Sequence, residues 1–133
     1  MVGIKKEIEM AKFEVHTETS KNGHKWTEVS SNVWKDETSG LIWYDIINGT
    51  FTWQEALDLV KSDELKLPKA SDFMVMVEHD GMEFLPNLET NYFWSSSPAP
   101  DLSDSAYVFN GDVGYIYYYY SRFDSNSIRC VKR

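Results

Sequence analysis

Apolar and polar positions alternate at the start of the chain: Phe13, Val15 and Thr17 lie between polar neighbours, the period of a half-buried strand. Lys21-Asn22-Gly23-His24 then reads as a turn, and Trp26 to Val33 as a second, returning strand. Thr38-Ser39-Gly40 is a further turn, leading into the apolar run Leu41-Ile42-Trp43-Tyr44. After this the period lengthens. Thr52-Trp53-Gln54-Glu55 fits a capping box, and Trp53, Ala56, Leu57 and Val60 fall on one face of the helix it would start. A second helix is expected just after Pro68, with Ala70, Phe73, Met74 and Val77 inward and His79-Asp80-Gly81 as its end. From Tyr92 onward the pattern turns back to strands: Tyr92-Phe93-Trp94, Ala106–Phe109, Gly114–Tyr120 and Ser127–Val131. Asn110-Gly111-Asp112 is a hairpin signal between two of them. Strands, two helices and then a block of strands predict an α+β domain with the helices beside antiparallel sheets.

At 133 residues the chain suits one domain over 1–133, with the charged stretch 1–12 as a loose or partner-docked end. A formal net charge of -8 argues against nucleic acid as a partner, because phosphates would be repelled. No apolar run approaches the roughly 20 residues that span a bilayer, so no membrane insertion is expected. Residues 1–9 lack the apolar core of a signal peptide. Cys130 is the single cysteine and reads as a small core residue, since a nucleophile would need a basic partner. Met74 and Met76 likewise read as core filler.

Five motifs, taken in order, resemble one family. Asp36-Glu37-Thr38-Ser39-Gly40-Leu41-Ile42-Trp43, Thr52-Trp53-Gln54-Glu55-Ala56-Leu57, Leu67-Pro68 with Asp72-Phe73, Tyr92-Phe93-Trp94-Ser95-Ser96-Ser97 and Ile128-Arg129-Cys130-Val131 are the five. Together they resemble the bacterial domain family named for the C-terminal domain of a collagen-like adhesin, over residues 33–133. The departures are local. Leu65-Lys66 replaces the family's Trp-Arg, Ser39 is inserted before Gly40, and Lys69 stands where a capping Thr is usual. The resemblance implies a C-type-lectin-like fold. That fold also serves the variable proteins of diversity-generating retroelements, such as phage tropism determinants, whose diversified segment precedes an Arg-Cys-Val tail like Arg129-Cys130-Val131.

In those systems asparagine codons of a template become codons that never encode Lys, Glu, Gln, Met or Trp. Residues 95–128, 34 in all, contain none of the five, whereas residues 1–94 contain 31. At average usage such an absence has a chance on the order of one in a thousand. A β-rich segment also disfavours Lys, Glu and Gln for its own reasons, so both explanations stand.

The same segment holds Tyr115, Tyr117, Tyr118, Tyr119 and Tyr120, followed by Ser121, Arg122, Phe123 and Asp124. In a strand Tyr117 and Tyr119 would oppose Tyr118 and Tyr120, and so small a domain does not easily bury two rows of hydroxyls. At least one row is therefore expected at the surface, where tyrosine beside Ser, Asn and Gly makes rigid contact area. Arg122 could stack or fork onto a carboxylate there. An aromatic sheet interior is the competing reading. The expected function is non-catalytic binding of a protein or glycan on a cell surface, from a virion or cell-surface location. The alternative is an adhesin module of fixed specificity for a polysaccharide. Glu-Pro-Asn and Trp-Asn-Asp triplets are absent, so binding without calcium, metal or cofactor is expected. His-Glu-x-x-His and Gly-x-Ser-x-Gly patterns are also absent, which points away from an enzyme.

Overall fold

The computed structural model describes residues 13–62, 64–100 and 105–133, and the side chains of all of these except Tyr118, Tyr119 and Tyr120. The fold is α+β, as the pattern predicts. Two helices accompany two five-stranded sheets. The first sheet contains β1 (His16–Thr19), β2 (Lys25–Ser30), β3 (Val33–Asp36), β4 (Ile42–Trp43) and β10 (Val131–Lys132), in that order. The second runs β5 (Ile47–Phe51), β9 (Asn126–Ile128), β6 (Tyr92–Pro98), β7 (Ser105–Asn110), β8 (Tyr115–Ser121). All pairings are antiparallel except β6 with β9, which is parallel.

Helix α1 (Trp53–Leu59) starts at the predicted box. Thr52 Oγ1 accepts from Glu55 N at 3.3 Å, and Glu55 Oε1 accepts from Thr52 N at 2.8 Å. These bonds to the helix start hold the Glu55 carboxyl below its ordinary pKa. Helix α2 (Ala70–Glu78) follows Pro68. Its missing threonine cap is supplied from another element: Ser97 Oγ on β6 accepts from Ala70 N at 3.1 Å, while Asp72 accepts from Lys69 N.

The second sheet is buried on both faces. Alternate residues Phe93 and Phe109 join Trp26, Trp34, Trp43, Phe73, Met76 and Val131 in one cluster, between the two sheets and under α2. Trp94, Val108 and Ile128 point the other way, into a second cluster capped by Ala56 of α1. This explains why Tyr92-Phe93-Trp94 and Tyr107-Val108-Phe109 read as nearly continuous apolar runs: each strand has two cores to fill. Arg129 is fully buried between them. Its Nε donates to Tyr44 O at 2.9 Å, and Nη1 and Nη2 donate to Pro86 O at 3.1 Å. Burial pulls its pKa down to about 10. Cys130 is buried beside it, and burial pushes its thiol up.

Four expectations are corrected. Trp26 to Val33 is two strands, because Asn32 takes a left-handed φ of 61° and turns the chain between β2 and β3. Ser127–Val131 is divided between the two sheets as β9 and β10. In α2 the buried residues are Phe73 and Met76, whereas Met74 is 55% exposed; Phe73 and Val77 face the core as expected, and Met76 takes the place expected of Met74. The strand around Phe13, Val15 and Thr17 is an exposed edge, and its regular part begins only at His16.

Candidate functional site

The β7–β8 hairpin forms one end of the predicted surface. Its loop is Gly111–Gly114, longer than a two-residue turn, with Asn110 Oδ1 accepting from Asp112 N at 2.9 Å. Gly111 is required there: an added Cβ would stand 2.1 Å from Leu88 O. The register pairs Tyr92 with Asn110 and Asn110 with Tyr115. These three residues therefore form a cross-strand row on the face that carries Trp94 and Val108, beyond the reach of α1. Neighbouring strands lie about 4.8 Å apart, so the backbones of Tyr92 and Tyr115 are separated by about 10 Å with Asn110 between them. Tyr92 is 37% exposed, Tyr115 65% and Val113, at the hairpin tip, 51%. Asn110 Nδ2 donates weakly to Tyr92 OH at 3.4 Å.

Along β8 the regular alternation breaks. Val108 faces Tyr117 but Ala106 faces Tyr120, so β8 spends one residue more than β7 over the same span. The expected opposition of 117 and 119 to 118 and 120 therefore does not hold for the backbone. Tyr117 is half-buried against the second core cluster. The side chains of Tyr118, Tyr119 and Tyr120 lie outside the described residues.

After Ser121 the chain must reach β9, which lies beyond β7 and β6 in the sheet. Residues 122–125 are consequently a strap across the sheet, and Arg122 fixes which face it crosses. The Arg122 guanidinium lies 4.4 Å from the centre of the Trp53 ring, and its Nε donates to Ser105 O at 3.0 Å. Its own carbonyl accepts from Trp53 N at 3.1 Å, satisfying a free amide at the start of α1. The strap thus runs on the α1 side. Ser121 closes its turn, accepting from Phe123 N at Oγ and from Asp124 N at its carbonyl. Phe123 at the crest is 78% exposed, and Asp124 and Ser125 are exposed beside it.

The predicted residues divide accordingly. Tyr115, Phe123 and Asp124 are at the surface, Ser121 and Arg122 are half-buried and hold the strap, and Tyr117 packs inward. The sequence reading missed Tyr92, Asn110 and Val113. The signal was present in the Asn110-Gly111-Asp112 hairpin, since pairing outward from it places Tyr92 in the row. Next to Tyr92 on the parallel strand lies Asn126, buried, with a side-chain amide nitrogen that lacks a hydrogen-bond partner among the described residues. No group of three or more His, Cys, Asp or Glu suited to a metal occurs among the described residues.

Among the described residues, a largely buried acid–histidine contact lies elsewhere. His79 Nδ1 donates to Asp36 Oδ2 at 2.6 Å, while Asp36 Oδ1 accepts from the Thr38 and Ser39 amides. Trp26 donates to His79 O at 2.7 Å, and His24 stacks on the His79 ring. No helix among the described residues is long and apolar enough to cross a membrane. Compared with known proteins, the chain matches no family model and no curated sequence.

Proposed function

We propose that the chain is a non-catalytic recognition domain with a C-type-lectin-like fold, binding a protein or glycan on a cell surface through the β7–β8 hairpin and the 122–125 strap. The observation that carries this reading is the exposure of Phe123 and Tyr115, the two most exposed aromatic side chains of the described residues. Both stand on backbone that is held from beneath: the hairpin by Gly111 against Leu88, the strap by Arg122 on Trp53. Rigid aromatic groups on a fixed frame lose little entropy on binding. The Asp36 carboxylate divides its bonds between a turn and His79, the work of a structural clamp, which supports a non-catalytic reading.

In this proposal residues 95–128 are the diversified segment of a retroelement variable protein, displayed on a virion or cell. The burial pattern narrows what can vary. Ala106, Val108, Phe109, Gly111 and Ile128 are buried, so change is confined to surface positions such as Val113, Tyr115, Phe123 and Asp124. Sequencing the gene from independent isolates tests this. Variation should concentrate at those surface codons, with a reverse transcriptase gene and a near-copy of the coding sequence for 95–133 nearby. An invariant segment without that neighbourhood refutes diversification. One observation favours the second reading, an adhesin module of fixed specificity for a polysaccharide: Tyr92 shares the exposed row and lies outside 95–128.

A further inference from the structure

On the β5 side of the fold, away from the β8 edge, the last turn of α1 borders two adjoining grooves. One has a volume of about 280 Å³, with Leu57, Val60 and Leu67 as its apolar lining and Lys66, Lys69 and Arg133 as its cations. The other, about 320 Å³, shares Val60 and continues over Leu59, Leu65, Ile47 and Cys130. Leu59 is 55% exposed, an apolar side chain left in solvent beside that second groove.

The charge at the first groove runs against that of the molecule. The chain has 21 acids and 13 bases, and Lys35, Lys61, Lys132 and Arg133 all have carboxylate partners. Lys66 and Lys69, like Lys21 and Lys25, have no ion pair among the described residues, although acids are in excess, and of these four only Lys66 and Lys69 line the groove. Both are fixed at the backbone. Lys66 exchanges hydrogen bonds with Val131 at 2.9 and 2.8 Å, and Lys69 N donates to Asp72 at the start of α2. Arg133 is tied to the same carboxylate, its Nη2 donating to Oδ2 at 2.6 Å and its Nη1 to Oδ1 at 3.3 Å. The three cations thus line the first groove, and Val60 borders both grooves.

We propose that this pair of grooves binds a medium-chain aliphatic carboxylate, its head group between Lys66 and Lys69 and its alkyl chain along Val60 into the second groove. Two lysines lining one groove favour a carboxylate over a neutral head group, and the apolar lining takes length beyond it. This site is separate from the recognition surface and does not depend on it.

Titration of the intact chain with octanoate, nonanoate and decanoate, followed by calorimetry and by amide shifts in NMR, tests the proposal. Affinity should rise about fourfold per added methylene, the equivalent of burying one such group. Shifts should centre on residues 57–69. Decanol should bind at least tenfold more weakly than decanoate. The double substitution Lys66→Gln, Lys69→Gln, at exposed positions that leave the thermal midpoint unchanged, should weaken decanoate tenfold or more. Added salt should weaken it as well. Decanol binding as tightly as decanoate, an unaffected double variant, or shifts centred elsewhere would each overturn the assignment. So would tight binding of a Leu-Leu-Glu peptide without binding of decanoate, which would make the grooves a peptide-docking surface instead.

Discussion

Arg122→Ala separates a residue that holds the recognition surface from one that contacts a ligand. The side chain makes two contacts, the stack on Trp53 at 4.4 Å and the Nε bond to Ser105 O at 3.0 Å. A partly exposed cation over an indole contributes about 0.5–1 kcal/mol. A hydrogen bond from a charged donor adds about 1.5–3 kcal/mol when buried, and about 1 kcal/mol is reasonable for this half-buried group. The loss should therefore be about 2 kcal/mol. Lys at 122 keeps the charge but not the planar fork, so Arg122→Lys should recover less than half. Urea unfolding followed by tryptophan fluorescence measures both, and because Trp53 lies under the guanidinium its emission should also change in the folded state. A destabilisation below about 0.5 kcal/mol with unchanged emission would refute the structural role. It would leave Arg122 free to engage a ligand.

Three further outcomes follow from the same geometry. Tyr117→Ser should cost roughly 1–3 kcal/mol because the ring packs on the second core cluster, whereas Phe123→Ser should change stability by less than about 0.5 kcal/mol; chemical denaturation compares the pair. Gly111→Ala places a methyl group against the Leu88 carbonyl and should cost about 2–3 kcal/mol, read as a lower thermal midpoint. Asp80 accepts from Ser20 and Asn22, first Ser20, and these bonds hold its carboxyl below the ordinary value. Its contribution is present above the unfolded pKa and is lost as pH falls through the lower folded one. Protection of the Asn22 amide, measured as its exchange rate relative to the intrinsic rate at each pH, should thus fall in acid, and Asp80→Asn should remove that dependence.

Local signals in the sequence located much of the fold. The capping box at Thr52–Glu55, the start after Pro68 and the hairpin at Asn110 each depend on residues within four positions of one another, and each lies where the pattern places it. Failures came where the structure depends on distant partners. Nothing near Ser97 shows that it caps α2, and nothing in Ser127–Val131 shows that one short run serves two sheets. The α2 face was misjudged because Met74 and Met76 are both apolar, and only packing decides between them. For the candidate site, composition identified the segment but not its shape. The extra residue in β8 undoes a strict alternation, and the strap over Trp53 follows from strand order, which no local pattern encodes.

Binding kinetics of single alanine substitutions at Tyr115 and Phe123 test the proposed recognition surface most directly, using a ligand isolated from target-cell surface on immobilised protein. The surface from Ser105 to Ser121 carries only Asp112 as a charged residue, so association should be little affected by moderate salt. Truncating the better-placed ring should weaken binding by about 2 kcal/mol or more, mainly through faster dissociation, with the thermal midpoint unchanged. Affinity for that ligand unaltered in both variants would contradict the proposal and move recognition to another face of the domain.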